Sequence, residues 1–170
     1  MDTTKLNILD EWNRRATRAG WAQGQAAAFC AFWHITLGIP LVVCTVVVGA
    51  LANNNSGGAS VIATLSIIAA ILAGLQTFLN LSERSQLHKR SGSAYSNVRR
   101  SIEELVAMPP ESLHDLDATM KKIRETFDTL AETTPNVPGF IWRRAYKKYE
   151  RGTYKSTVIQ IRSNDVPKDS

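Results

Sequence analysis

The feature that most constrains the fold is a long stretch without charge. Residues 19–82 contain no Lys, Arg, Asp or Glu. Within it, apolar runs cover residues 26–51 and 59–81, separated by a short turn rich in Asn and Gly. A helix needs about 20 mostly apolar residues to cross the hydrocarbon core of a bilayer, and both runs are long enough. Because backbone polar groups in lipid must pair within their own segment, the sequence predicts two membrane-spanning helices joined as a hairpin.

Two other kinds of chain show similar apolar runs. One is a soluble domain that buries a helical hairpin, but the remaining residues are too polar to wrap a hairpin of this size. The other is a secretory signal, whose apolar core of roughly 7–15 residues is much shorter than the first run. We therefore expect an all-α membrane protein, with a transmembrane hairpin over residues 26–81 and a cytoplasmic helical region over residues 82–162.

Charge lies in the flanks and predicts the topology. The leader before the first run carries four Lys or Arg residues, the turn between the spans has none, and all the others follow Glu83. Since positively charged segments stay on the cytoplasmic side, we expect a multi-pass protein of the cell inner membrane with both termini in the cytoplasm. The net charge of +5 then favours membrane lipid as a partner over nucleic acid.

The leader itself has an amphipathic pattern. Leu6, Leu9, Trp12 and Ala16 recur at steps of three and four, which predicts a helix lying along the membrane interface over residues 1–25. Trp12 and Trp21 would then anchor it at the depth of the headgroups.

The first span contains two polar irregularities. Pro40 lacks the amide hydrogen that would bond to the carbonyl of Thr36, which predicts a kink around residues 36–38. His34 and Gly38 share one face of the same helix. The His34 side chain could donate to a carbonyl freed by the proline, or it could face an aqueous lumen.

The second span has a stripe of small and polar residues. They are Ser66, Ala69, Ala73, Gln76 and Asn80, with Ala70 and Gly74 beside them. Two interpretations stay open: the stripe packs against another helix, or the stripes of several hairpins line a common pore.

The cytoplasmic region predicts two further helices. The second span is expected to continue as one helix through Glu83 to Met108, where Pro109-Pro110 ends it. A new helix then begins at Ser112, with Asp115 as its capping-box partner. Its apolar residues are Leu113, Leu116, Met120, Ile123, Phe127 and Leu130. A stripe at this spacing is buried, either in an antiparallel hairpin or between subunits of a homo-oligomer.

A basic aromatic segment follows a turn-rich connector over residues 133–139. Next to a membrane, such a segment is expected to lie along the inner leaflet rather than on nucleic acid. Its proposed lipid-contacting residues are Trp142, Arg143, Arg144, Lys147 and Lys148. Residues 154–162 alternate weakly and predict a short strand, and residues 163–170 predict a disordered tail.

The sequence contains no pattern typical of an enzyme. There is no phosphate-binding loop and no Cys or His spacing for a metal, and His88 and His114 are expected to be solvated. Cys30 and Cys44 would lie roughly 21 Å apart on one helix, too far to form a disulfide. We therefore predict no catalytic, metal-binding or cofactor-binding residues and no cofactor.

The layout resembles the SLATT family, the SMODS and SLOG-associating two-transmembrane effector domains of prokaryotic conflict systems. The similarity covers about Thr4 to Tyr154. It consists of the basic leader, the two-span hairpin, the two cytoplasmic helices and a Pro135-x-x-Pro138-x-x-x-Trp142 pattern before a basic helix. The resemblance implies an anti-phage membrane effector that oligomerises into a pore. It also implies a separate protein that generates or senses a nucleotide.

Two other functions stay open, a phage holin-like lesion former and a non-conducting membrane adaptor. For the pore, we expect hairpins to associate through Ser66, Ala69, Ala73 and Gly74. We further expect a rigid helix through Leu81 and Glu83 to transmit the signal into the second span.

Overall fold

A computed structural model of the chain describes residues 2–53 and 58–148, which form five α-helices and contain no strand. The helices are α1 Thr3–Asn53, α2 Ala59–Leu79, α3 Leu81–Ala107, α4 Leu113–Thr133 and α5 Gly139–Lys148. The predicted all-α fold is confirmed. The described residues leave out most of the predicted turn and all of the predicted strand and tail. They also leave out the side chain of Lys148.

The described residues divide into two compact units. The hairpin unit is Ala27–Gln86, and the helical unit combines residues 2–26 with residues 87–148. α1 contributes to both. The leader was expected to be a separate interfacial segment over residues 1–25. In the structure it belongs to the helical unit, because apolar residues on α3 and α4 bury one face of its helix.

The hairpin unit consists of the apolar parts of α1 and α2. Both helices are long and apolar enough to cross a membrane, and only 0% and 6% of their most apolar stretches are buried within the protein. The outward surface carries bulky apolar side chains, Phe32, Ile39, Val46 and Phe78 among them. α1 passes through Pro40 without interruption. A helix pair with this much exposed apolar surface is typical of a transmembrane hairpin.

The second span was predicted to continue unbroken into α3, but in the structure it does not. Asn80 adopts a left-handed conformation with φ 43° and ends α2. Asn is one of the few residues that tolerate this conformation, because its short side chain can bond locally. The Asn80 side-chain amide donates to the Glu83 carboxylate, at the start of α3. The helix is therefore interrupted just before Leu81, where a rigid connection was expected.

The helical unit is built on a core shared by α1, α3 and α4. Its buried residues are Leu9, Val98, Ile102, Leu105, Leu116 and Ile123. Met120, Phe127 and Leu130 of the predicted α4 stripe pack against this cluster. Leu113 does not, since it lies at the first turn of α4 and is 71% exposed. Within one chain, the α4 stripe is thus buried against the leader helix as well as α3.

The connection between α3 and α4 follows the prediction in one respect and not in another. α3 ends at Ala107, just before Pro109-Pro110, as predicted. Ser112 takes the N-cap position of α4, but its side chain makes no capping hydrogen bond. The predicted capping box with Asp115 is therefore wrong. The backbone alone starts this helix, through the bond from the Leu116 amide to the Ser112 carbonyl.

Candidate functional site

The two helices of the hairpin unit pack along a seam of half-buried residues. On α1 these are Leu37, Leu41, Cys44 and Val48, and on α2 they are Ile62, Leu65, Ala69, Leu72, Gln76 and Leu79. Steps of three and four keep each row on one face of its helix, as in antiparallel helix packing. Ala69 is the residue buried most deeply on α2, at 8% exposure. Ala69 therefore lies at the contact between the two helices of one hairpin.

Gln76 makes the polar contact between the two spans. Its Nε2 donates to the main-chain carbonyl of His34 at 3.1 Å. Gly38 leaves space for the amide, since a Cβ at this position would lie 2.9 Å from Gln76 Nε2. Interhelical bonds of this kind tie helices together in lipid, where an unpaired amide is costly. The imidazole of His34 remains exposed. Its main-chain carbonyl, and not its side chain, therefore takes part in the contact between the helices.

One side of the hairpin is lined by small or polar side chains. On α2 the exposed residues Ser66, Ala70 and Gly74 follow one flank of the seam. On α1, the exposed residues His34, Thr45 and Gly49 line the same side of the hairpin. This is the side on which Gln76 reaches the carbonyl of His34. We call these six residues the small-residue face. A Cβ at Gly74 or Gly49 would meet no atom within 4 Å, so this face is open.

The opposite flank of α2 carries Val61, Ile68 and Leu75, all exposed. On the small-residue face, the hydroxyls of Ser66 and Thr45 donate to carbonyls of their own helices, those of Ile62 and Val42, at 2.8 Å each. These hydroxyls are thus satisfied without water. The hairpin has one bulky side suited to lipid tails and one side that lets another helix approach closely.

A second close contact lies in the helical unit, where α1 crosses α3. A Cβ on Gly92 would lie 3.3 Å from the Gly20 carbonyl oxygen and 3.6 Å from the Gly24 amide nitrogen. Two helix backbones approach this closely only where side chains are absent. The sequence-based predictions do not include this crossing. Its sequence signal is a glycine within each helix, Gly20 on α1 and Gly92 on α3.

Gln23 ties three segments of the helical unit together at this crossing. Its Nε2 donates to the carbonyl of Pro135 at 3.0 Å, in the connector between α4 and α5. Its Oε1 lies 2.5 Å from Nδ1 of His88 on α3. Since Gln23 Oε1 accepts, Nδ1 of His88 carries the hydrogen. The prediction that His88 is solvated is wrong: it is 6% exposed, because the amide of Gln23 and the small residues of the crossing enclose it.

The short helix α5 docks on the helical unit through two residues. Ile141 and Ala145, one turn apart, are buried. Trp142 and Tyr146, on the adjacent face, line a cavity of about 490 Å³ whose wall includes Arg18. Trp142, expected at the lipid interface, lines this cavity and is 41% exposed. Trp12, also expected to anchor in lipid, lies 6.4 Å from the ring of Phe127.

The structure brings no metal-binding constellation together. Among residues 2–53 and 58–148, no group of three or more His, Cys, Asp or Glu residues is placed to hold a metal ion. Cys30 and Cys44 are free. What the described residues do form is the small-residue face, the Gly20–Gly92 crossing with its Gln23 hydrogen bonds, and a docked basic helix.

Comparison with known proteins gives one match. The family model SLATT_fungal, described as SMODS and SLOG-associating 2TM effector domain, matches residues 14–133. The matched range runs from within α1 to the end of α4, so it includes both spans, the Gly20–Gly92 crossing and the α3 and α4 residues of the helical-unit core. No protein with a curated description and no solved structure matches the chain.

Proposed function

The chain belongs to the family of SMODS and SLOG-associating 2TM effector domains, and we propose that it acts by assembling its hairpins into a membrane lesion. Family membership identifies it as a membrane effector of a conflict system. The open small-residue face is the observation that carries the proposal. A pore or another perturbation of the bilayer requires several hairpins, and this face offers them a surface for close contact.

The association surface we propose differs from the predicted one. Ala69 packs inside the hairpin and Ala73 is half-buried beside the seam, so neither is free for a second copy. Ser66, Ala70 and Gly74 remain exposed on one flank. Spaced four residues apart, Ser66, Ala70 and Gly74 form a small-xxx-small pattern that favours close helix contact. His34, exposed on the same face, is the ionisable side chain placed to reach a lumen.

We propose that α1 carries the activating signal. It is a continuous helix that contributes to both units, whereas Asn80 interrupts the connection from α2 to α3. A separate nucleotide-generating or nucleotide-sensing protein would act on the helical unit, on the cytoplasmic side with both termini. The fungal label of the matched family favours a eukaryotic membrane over the bacterial inner membrane and phage setting of the sequence-based expectation.

The test compares Gly74→Leu with Thr64→Leu in the full chain. Both positions are exposed on α2, but Thr64 lies on the bulky side of the hairpin. Leu at Gly74 holds neighbouring helices apart, so we expect the homo-oligomer to fall to monomer by detergent sizing and crosslinking. Release of a dye from liposomes should fall at least tenfold with it, the order of a loss of about 1–2 kcal/mol at a contact in lipid.

Thr64→Leu should behave as the unchanged protein in both assays. A monomer that never permeabilises liposomes, with or without either substitution, would reject the lesion. That result would favour the non-conducting adaptor, which the self-satisfied hydroxyls of Ser66 and Thr45 also support.

A further inference from the structure

We propose that α5 carries a binding site for anionic phospholipid headgroups on its outward side. The site consists of Phe140, Arg143, Arg144 and Lys147, which we call the basic face. These residues follow one another at steps of three, one and three, so they share one side of the helix. All four are exposed.

The docking of α5 fixes which side the basic face presents. Ile141 and Ala145 are 5% and 4% exposed and hold the helix against the helical unit. Trp142 and Tyr146 turn to the cavity beside Arg18. The basic face is what remains, directed away from both. The helix therefore presents its cations from a fixed platform, which lowers the conformational entropy lost on binding.

The cations of the basic face are not neutralised by the described part of the protein. Arg143, Arg144 and Lys147 form no ion pair with any residue in 2–53 or 58–148, and α5 contains no acidic residue. On α4, by comparison, Lys121 pairs with Glu125 and Arg124 pairs with Asp128. Three cations without an ion pair among the described residues, beside an exposed phenyl ring, form a positively charged patch suited to an anionic ligand.

A membrane surface fits this patch better than nucleic acid does. The helical unit and the hairpin unit belong to one chain, so insertion of the hairpin would tether the patch to a bilayer. Phe140 with three cations matches the chemistry of an interfacial helix, in which an aromatic ring enters the headgroup layer and Lys or Arg bind lipid phosphates. The inference rests on the chain being a membrane protein and does not require a pore.

The test uses the full chain in liposomes of phosphatidylcholine with phosphatidylserine that carries a photoreactive headgroup. Crosslinks are mapped by mass spectrometry. We expect them to concentrate on residues 140–147 and to fall at least tenfold in the triple variant Arg143→Gln, Arg144→Gln, Lys147→Gln. The expectation follows from about a fivefold contribution to lipid binding from each cation near the surface.

The matched control is the triple variant Lys121→Gln, Lys122→Gln, Arg124→Gln, which removes the same charge from α4. It should leave the α5 crosslinks within twofold of the unchanged protein. Equal losses in the two triples would overturn the proposal, since net charge alone would then explain binding. So would displacement of the crosslinks by an RNA oligonucleotide, which would identify a nucleic-acid site. Dye release, measured in the same liposomes, reports separately on the lesion.

Discussion

Replacing Gly92 with Leu should unfold the helical unit. The added side chain has to enter the space where α3 crosses α1, and its first carbon would already lie 3.3 Å from the carbonyl oxygen of Gly20. That oxygen belongs to a helix backbone and cannot rotate away. Overpacking of this kind costs about 1–3 kcal/mol where side chains can move, and more where the obstacle is backbone. The separation would also stretch the bonds from Gln23 to Pro135 and His88.

A loss of stability of this size is a large share of the free energy of unfolding of a typical domain, roughly 5–15 kcal/mol. It should appear in guanidinium unfolding of the detergent-solubilised chain, followed by tryptophan fluorescence. Gly24→Leu is the matched control on α1, because a Cβ there would meet no atom within 4 Å. It should leave the midpoint unchanged or slightly higher, since Leu favours helix over Gly. Equal midpoints for the two variants would show that the crossing is not tightly packed.

Replacing Ile102 with Ala should cost the helical unit about 2–5 kcal/mol, the range for truncating a fully buried large aliphatic side chain. Ile102 is 0% exposed and sits in the core cluster with Leu9 of α1 and Leu116 of α4. The cavity left by Ala would loosen both neighbours, and the same unfolding measurement reads the change.

Leu113→Ala is the control for Ile102→Ala. Leu113 belongs to the same sequence periodicity as Leu116 but is 71% exposed, so its truncation should change stability by no more than about 0.5 kcal/mol. If Leu113→Ala were the more damaging of the two, the α4 stripe would be buried between subunits and not within one chain.

The features that sequence predicted well are those that long patterns determine. The hairpin follows from two uncharged runs that each match the thickness of a bilayer, and the end of α3 follows from Pro109-Pro110. The buried positions of α4 follow from their regular spacing, except for Leu113, which lies in the first turn of the helix and is 71% exposed. Each of these signals is local or repeated, so it needs no knowledge of tertiary structure.

The features that sequence missed depend on contacts between distant residues. The leader was read as interfacial, because an amphipathic helix looks the same whether lipid or protein covers its apolar face. His88 looked solvated among polar neighbours in sequence, but it is buried and contacts Gln23 of α1, 65 residues away. The break at Asn80 is a single left-handed residue, which Asn permits but does not require.

These differences change the mechanism. With α2 and α3 interrupted at Asn80, the expected lever through Leu81 and Glu83 is not one continuous helix. The Gln23 hydrogen bonds on α1 instead link the leader helix to α3 and to the α4–α5 connector. A partner that reorganised this crossing would act directly on the helix that continues into the first span.

The central claim is that lipid surrounds the hairpin unit, with the α2 start on one side of the membrane and the helical unit on the other. Single-cysteine labelling tests it directly, with Gly58→Cys and Glu111→Cys placed separately in a Cys30→Ser, Cys44→Ser background. Both positions are exposed, the first just before α2 and the second between α3 and α4. A membrane-impermeant maleimide should label Gly58→Cys in sealed, right-side-out membranes and Glu111→Cys only after permeabilisation. Labelling of both cysteines from the same side, or a chain recovered in the soluble fraction, would contradict the account.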